Sequence, residues 1–129
     1  MELKYQKEIN TIENCPVEHQ TGEKILFRCV EEPMTENSFM PNAVLLKPKF
    51  EGNCLAWGLS LFSSYDSAMQ TLKNLSKNKR VSYSKIAKTN LVDSDGIKHC
   101  SKNKTHYTFY PEKNLDLLTK FVIVEENGK

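Results

Sequence analysis

Between Cys54 and Leu75 the hydrophobic pattern switches period, and no other stretch constrains the fold as tightly. Leu55, Trp57, Leu59 and Leu61 alternate with Ala56, Gly58, Ser60 and Phe62, the two-residue repeat of a strand with one apolar face. At Ser63 the repeat changes. Ser63 and Asp66 have the spacing of a capping box, in which each side chain takes up a free backbone N–H at a helix start. Tyr65, Ala68, Met69, Leu72 and Leu75 then lie on one stripe of an amphipathic helix. The expectation is a strand over Cys54–Phe62, carrying the chain's one tryptophan, that feeds a helix over Ser64–Lys77.

A chain of 129 residues is long enough to bury a core without covalent staples. No apolar run reaches the roughly 20 residues needed to cross a bilayer, and the N-terminus has no apolar segment of the secretory kind. Cys15, Cys29, Cys54 and Cys100 are widely scattered, and two of them lie in strand-like runs. That usage points to reduced, buried thiols and a cytoplasmic location, with no membrane partner. The net charge of +2 conceals an asymmetry. Residues 1–36 carry eight acidic and four basic side chains, whereas residues 73–104 carry nine basic and two acidic. The basic stretch either presents a face to an anionic partner or meets the acidic front within the fold.

Lys24–Val30 reads as a strand, with Ile25, Phe27 and Cys29 on one face and Leu26, Arg28 and Val30 on the other. The connection over residues 31–42 has two prolines, and a long connection of this kind is more often functional than idle. Tyr83–Leu91 fits either a helix or a strand. Asp93–Gly96 is a turn signal, Ile97–Cys100 and His106–Tyr110 read as short strands, Asn114 can cap a turn of helix through Leu118, and Phe121–Val124 is strand-like. The fold class is α+β: an antiparallel or mixed sheet of about five or six strands with one main helix on a face. The expected layout is a polar N-terminal segment over 1–23, one domain over 24–125 and a polar tail over 126–129. Leu26, Phe27, Leu55, Trp57, Leu59, Leu61, Met69, Leu72, Ile86, Phe109, Leu118 and Phe121 are the expected core.

Four chemistries can be set against these residues. A zinc site from Cys15, His19, His99 and Cys100 lacks paired ligand spacing, so no metal is expected. A thiolate nucleophile would need Cys54 or Cys100 near His106, and nothing in the sequence joins them. For nucleic acid, the basic turn and the Tyr83–Lys88 segment resemble the first half of a helix-turn-helix, but an acidic turn follows where the recognition helix belongs. Nucleotide-binding loops of the Walker or Rossmann kind are absent. A looser constellation is Arg28 in an apolar strand, Ser60 on the organising strand and Glu125 after the last. It resembles the order in small ADP-ribosyltransferase-like folds, which implies an arginine on an NAD phosphate and a glutamate beside an oxocarbenium-like transition state.

The segments Leu26–Cys29, Cys54–Ser60, Ile86–Lys88, Asp95–Gly96 and His106–Pro111 together resemble a set of small uncharacterised bacterial proteins. Their layout is similar to that of proteins encoded beside toxin or defence genes, and the resemblance implies no catalytic residue and no cofactor. The expected function is a binding or accessory protein of a bacterial system, whose contact surface is the basic 73–104 face, with Lys77, Lys79, Arg80, Lys85 and Lys88, together with the Glu31–Asn42 loop, meeting a protein partner. An ADP-ribosyltransferase-like enzyme using Arg28, Ser60 and Glu125 is the first alternative, and a nucleic-acid-binding domain the second.

Overall fold

The computed structural model describes residues 1–15, 18–46, 50–75, 83–102 and 104–124. A short helix α1 (Gln6–Ile9) precedes β1 (Lys24–Val30), which is followed by a 3₁₀ turn over Glu36–Phe39 and the short helix α2 (Asn42–Leu45). A second 3₁₀ turn, Cys54–Trp57, leads into β2 (Leu59–Phe62) and α3 (Tyr65–Leu75). The chain continues through β3 (Lys85–Leu91), β4 (Gly96–Cys100), β5 (His106–Pro111), α4 (Leu117–Lys120) and β6 (Val122–Ile123). The strands form one antiparallel sheet in the order β4-β5-β2-β1-β3-β6, so the expected α+β architecture with one dominant helix is the one observed.

Each face of the sheet carries a packed cluster. On one, Ala68 and Leu72 of α3 pack on Phe27, Cys29 and Ile86. On the other, Leu26, Val30, Leu59, Leu61, Ala87, Leu91 and Phe109 meet Phe39, Leu117 and Phe121 from the connections. The two faces of β1 divide as its alternation predicts. A third cluster joins Leu3 and Ile9 of the N-terminal segment to Ala43, Trp57 and Tyr110. Burial pushes the Tyr110 hydroxyl up to about 12.

The structure departs from several sequence expectations. Cys54–Trp57 is a 3₁₀ turn and not the start of β2; alternation over four residues does not separate the two, and Asn53 caps the turn by accepting the Leu55 N–H. Leu55 is consequently exposed, as is Leu118 on α4. The α3 cap is shifted by one residue, since Ser64 Oγ accepts the Ser67 N–H. Asp116, rather than Asn114, caps α4 by accepting the Leu118 N–H. Within Tyr83–Leu91, Lys85–Leu91 is a strand that pairs along the whole of β1, so among the described residues no recognition helix follows α3.

The cysteines require a correction. Cys15 and Cys54 form a disulfide, against the expectation of reduced thiols, while Cys29 and Cys100 are free. Cys15 is brought to Cys54 by the packing of Leu3 and Ile9 beside Trp57, a tertiary contact with no sequence spacing to announce it. Burial raises the Cys29 thiol to about 11. No helix among the described residues is long and apolar enough to cross a membrane.

Lys98 is also placed unexpectedly. Counted from sequence with the basic stretch, it is fully buried on β4 and donates to Asp93 Oδ1 at 2.8 Å. Residues 18–22 lie along this edge strand: the Gln20 N–H donates to the Lys98 carbonyl, His19 Nδ1 accepts the Lys98 N–H, and the Gly22 N–H donates to Asp93. The edge that would otherwise offer free backbone groups is thereby closed.

Two outcomes are expected. Cys54→Ser, or reduction by dithiothreitol, removes a crosslink between residues 39 apart in sequence. It should lower the unfolding free energy by roughly 4 kcal/mol on a chain-entropy basis, and an unchanged urea midpoint would contradict this. The hydrogen bond from Lys98, with that from Gly22, holds the Asp93 carboxyl below the usual carboxylate range. A depressed folded pKa gives stability that is complete above the unfolded value near 4 and is lost as pH falls through the folded value. The unfolding temperature should therefore drop less steeply on acidification in Asp93→Asn than in the wild type.

Candidate functional site

The candidate site lies where β1 and β2 part. Their antiparallel pairing is confined to Phe27 and Phe62, beyond which the strands diverge toward the C-terminal end of β1. Arg28 follows immediately. It is only 6% exposed, and it fills the gap by donating from Nε to the Ser38 carbonyl at 3.0 Å and from Nη1 to the Ser60 carbonyl at 2.9 Å. Its guanidinium carbon stands 5.9 Å from the centroid of the Phe39 ring. One side chain thus replaces the missing ladder bonds and pins the connection between β1 and α2. Thr35 caps the turn in that connection, with its Oγ1 accepting the Asn37 N–H.

A cleft of about 360 Å³ opens at this gap, bordered by α3 and by the connection into α2. Its described lining includes the polar residues Arg28, Asn42, Ser60, Thr71 and Tyr83 together with the apolar Met40, Phe62 and Leu75. Such a mixture, apolar walls with a few placed polar groups, is what ligand sites use. Gly58 is needed just before β2 because a Cβ there would run into Thr108 on β5.

The electrostatics of the cleft are unbalanced. Among the described residues no carboxylate lies within ion-pair distance of Arg28, whose acceptors are two backbone carbonyls. Burial pushes its pKa below the ordinary arginine value, against weaker opposing fields from Tyr83, Cys29 and Glu31. The guanidinium nonetheless stays charged. Glu31 buries one carboxylate oxygen, Oε1, that finds no hydrogen-bond partner among the described residues. A buried charge without a counter-ion is costly, and carbonyl acceptors offset only part of the cost.

The residues singled out from sequence fall in different places. Arg28 and Ser60 come together at the cleft, but through the Ser60 carbonyl and not its hydroxyl. Glu125 lies outside the described residues, as do Lys77, Lys79 and Arg80. The connection carrying those three basic residues leaves α3 at Leu75 and returns at Tyr83, both of which line the cleft. Lys85 is half-exposed with its ammonium 3.9 Å from Glu32, one place where the acidic and basic parts of the chain meet. Lys88 is exposed on another part of the sheet. Cys15, drawn from sequence as a metal ligand, is taken by the disulfide, and no cluster of three or more metal-ligating side chains occurs among the described residues. No local pattern marks Asn42, Thr71 and Tyr83 as members of one cleft, because only tertiary packing brings them together. The chain matches no protein-family model, no curated protein and no solved structure.

Removing the guanidinium should be costly. Arg28→Ala leaves the Ser38 and Ser60 carbonyls without their donor, and a loss of roughly 3 kcal/mol is expected from hydrogen bonds to a charged group. Urea unfolding of Arg28→Ala and Arg28→Lys would measure it, with the lysine variant intermediate. A wild-type midpoint for Arg28→Ala would show that the strands part without needing the clamp.

Proposed function

We propose that this protein is a binding module and not an enzyme, and that it recognises an anionic ligand in the Arg28 cleft. The observation that carries this reading is a buried arginine bordering an open cleft with no described carboxylate paired to its guanidinium. An anion entering there gains a charge-assisted hydrogen bond, worth more than a neutral one, in surroundings already cleared of much of their water. Lys77, Lys79 and Arg80, which lie in sequence between Leu75 and Tyr83, add to the positive charge of the chain. Glu31 works against the anion, so direct contact with Arg28 must outweigh its field. An accessory role in a bacterial system remains the setting in which such a module fits.

A second reading keeps the ADP-ribosyltransferase-like order, favoured by the meeting of Arg28 and Ser60 at one cleft. It requires NAD binding and turnover that both Arg28→Ala and Glu125→Gln abolish. No detectable NAD binding at millimolar concentration would remove it.

Isothermal titration with inorganic pyrophosphate at low ionic strength tests the anion site. Binding is expected to weaken with added salt, to fall roughly tenfold or more in Arg28→Lys, where a forked donor becomes a point charge, and to tighten in Glu31→Gln. A variant with Lys77, Lys79 and Arg80 changed to Glu should also lose affinity while folding normally. Absence of pyrophosphate and phosphate binding by the wild type, or equal binding by Arg28→Lys, would overturn the proposal.

A further inference from the structure

The Cys15–Cys54 disulfide ties down a stretch that has few other anchors. Residues 1–9 are held independently: the Lys4 N–H donates to the Pro111 carbonyl, the Lys113 N–H donates to the Glu2 carbonyl, and Leu3 and Ile9 are buried. Residues 10–15 differ. Among the described residues their hydrogen bonds run only back to Gln6, Glu8 and Ile9, and Ile12 and Cys15 are partly buried against the cluster of Trp57 and Tyr110. Both bonded cysteines are half-buried, flanked by the exposed Asn14, Asn53 and Leu55, so a small thiol can reach the bond. Cys29 and Cys100 stay free, and the bond is therefore not part of a fully paired structural framework.

The two sulfurs have different surroundings. Tyr110 Oη lies 3.5 Å from Cys54 Sγ and donates to the Cys54 carbonyl at 3.2 Å. Among the described residues no hydrogen bond reaches Cys15 Sγ. A disulfide sulfur is a weak acceptor and a thiolate a stronger one, so on cleavage the hydroxyl can turn from the carbonyl to the Cys54 sulfur. Burial pushes the Tyr110 hydroxyl up to about 12, which keeps its proton available for donation. A hydrogen bond to the departing thiolate favours its charged form, and a better leaving thiolate speeds exchange.

We infer that Cys15–Cys54 is an exchange site for low-molecular-weight thiols, attacked at Cys15 Sγ, with Cys54 as the leaving group and Tyr110 as its positioning residue. The incoming thiolate bonds to Cys15 Sγ, the Sγ–Sγ bond breaks, and the electron pair leaves on Cys54, which takes a proton from water. A second small thiolate then displaces the first from Cys15. Two small thiols are thereby oxidised to their own disulfide while the protein disulfide is reduced to two thiols. Reduction frees residues 10–15 from the turn before β2, with residues 1–9 still docked, and opens one side of the Trp57 cluster. The inference does not rest on the anion-binding reading.

Reaction of the oxidised full chain with reduced glutathione under native conditions tests it, with acid quenching and peptide mass spectrometry of the early products. The first adduct should be glutathione on Cys15, and the emission of Trp57, the one tryptophan, should change as the bond is lost. Tyr110→Phe should slow exchange roughly threefold or more, as expected for one lost hydrogen bond. It should also divide the adduct between Cys15 and Cys54, which a purely packing role for Tyr110 would not do. Reduction only after the chain unfolds, a first adduct mainly on Cys54, or an adduct distribution unchanged in Tyr110→Phe would each overturn the inference.

Discussion

The Arg28 guanidinium holds together a sheet that would otherwise be open at its centre. Where β1 and β2 part beyond Phe27 and Phe62, backbone pairing gives way to a side chain that donates to carbonyls on both sides. The connection between β1 and α2 is pinned through Ser38, which seats Phe39 on Phe121 and closes the face of the sheet opposite α3. The same parting of strands creates the cleft. Stability and the proposed anion binding therefore draw on one residue, whose charge two carbonyls only partly balance.

The periphery is organised by other means. At the β4 edge, a buried lysine collects Asp93 and the segment 18–22, so that a cation read from sequence as surface charge becomes an internal tie. At the N-terminus, the Cys15–Cys54 disulfide and the burial of Leu3 and Ile9 bind a mostly polar segment to the Trp57 turn. Asp95 accepts the Val92 N–H and pairs with Lys120, linking the turn before β4 to α4. Gly96 closes that turn at a φ of 149°, and a Cβ there would strike the Tyr110 carbonyl.

Much of this architecture was legible in the residues. The alternation of Lys24–Val30 gave both faces of β1, and the stripe from Ala68 to Leu72 gave the buried side of α3. Arg28 stood out because it is the one charged residue inside an apolar run. What local pattern does not encode is the identity of partners distant in sequence. The disulfide joins cysteines with no shared motif, and the cleft gathers Arg28, Asn42, Ser60, Thr71 and Tyr83 from five separate elements or connections. The Cys54–Trp57 turn was missed for a different reason: four residues with apolar alternation suit a single 3₁₀ turn as well as a strand, and the cap on Asn53 decides between them.

The most direct test of the central claim is nitrogen-15 NMR of the uniformly labelled protein, following the Arg28 Nε–Hε resonance and the backbone amides during a titration with inorganic phosphate. The account predicts saturable shifts at Arg28 Nε–Hε, Asn42, Ser60, Thr71 and Tyr83, with Ile25 and Val122 unmoved. Shifts that never saturate, or that are confined to exposed lysines away from the cleft while Arg28 stays unchanged, would contradict it.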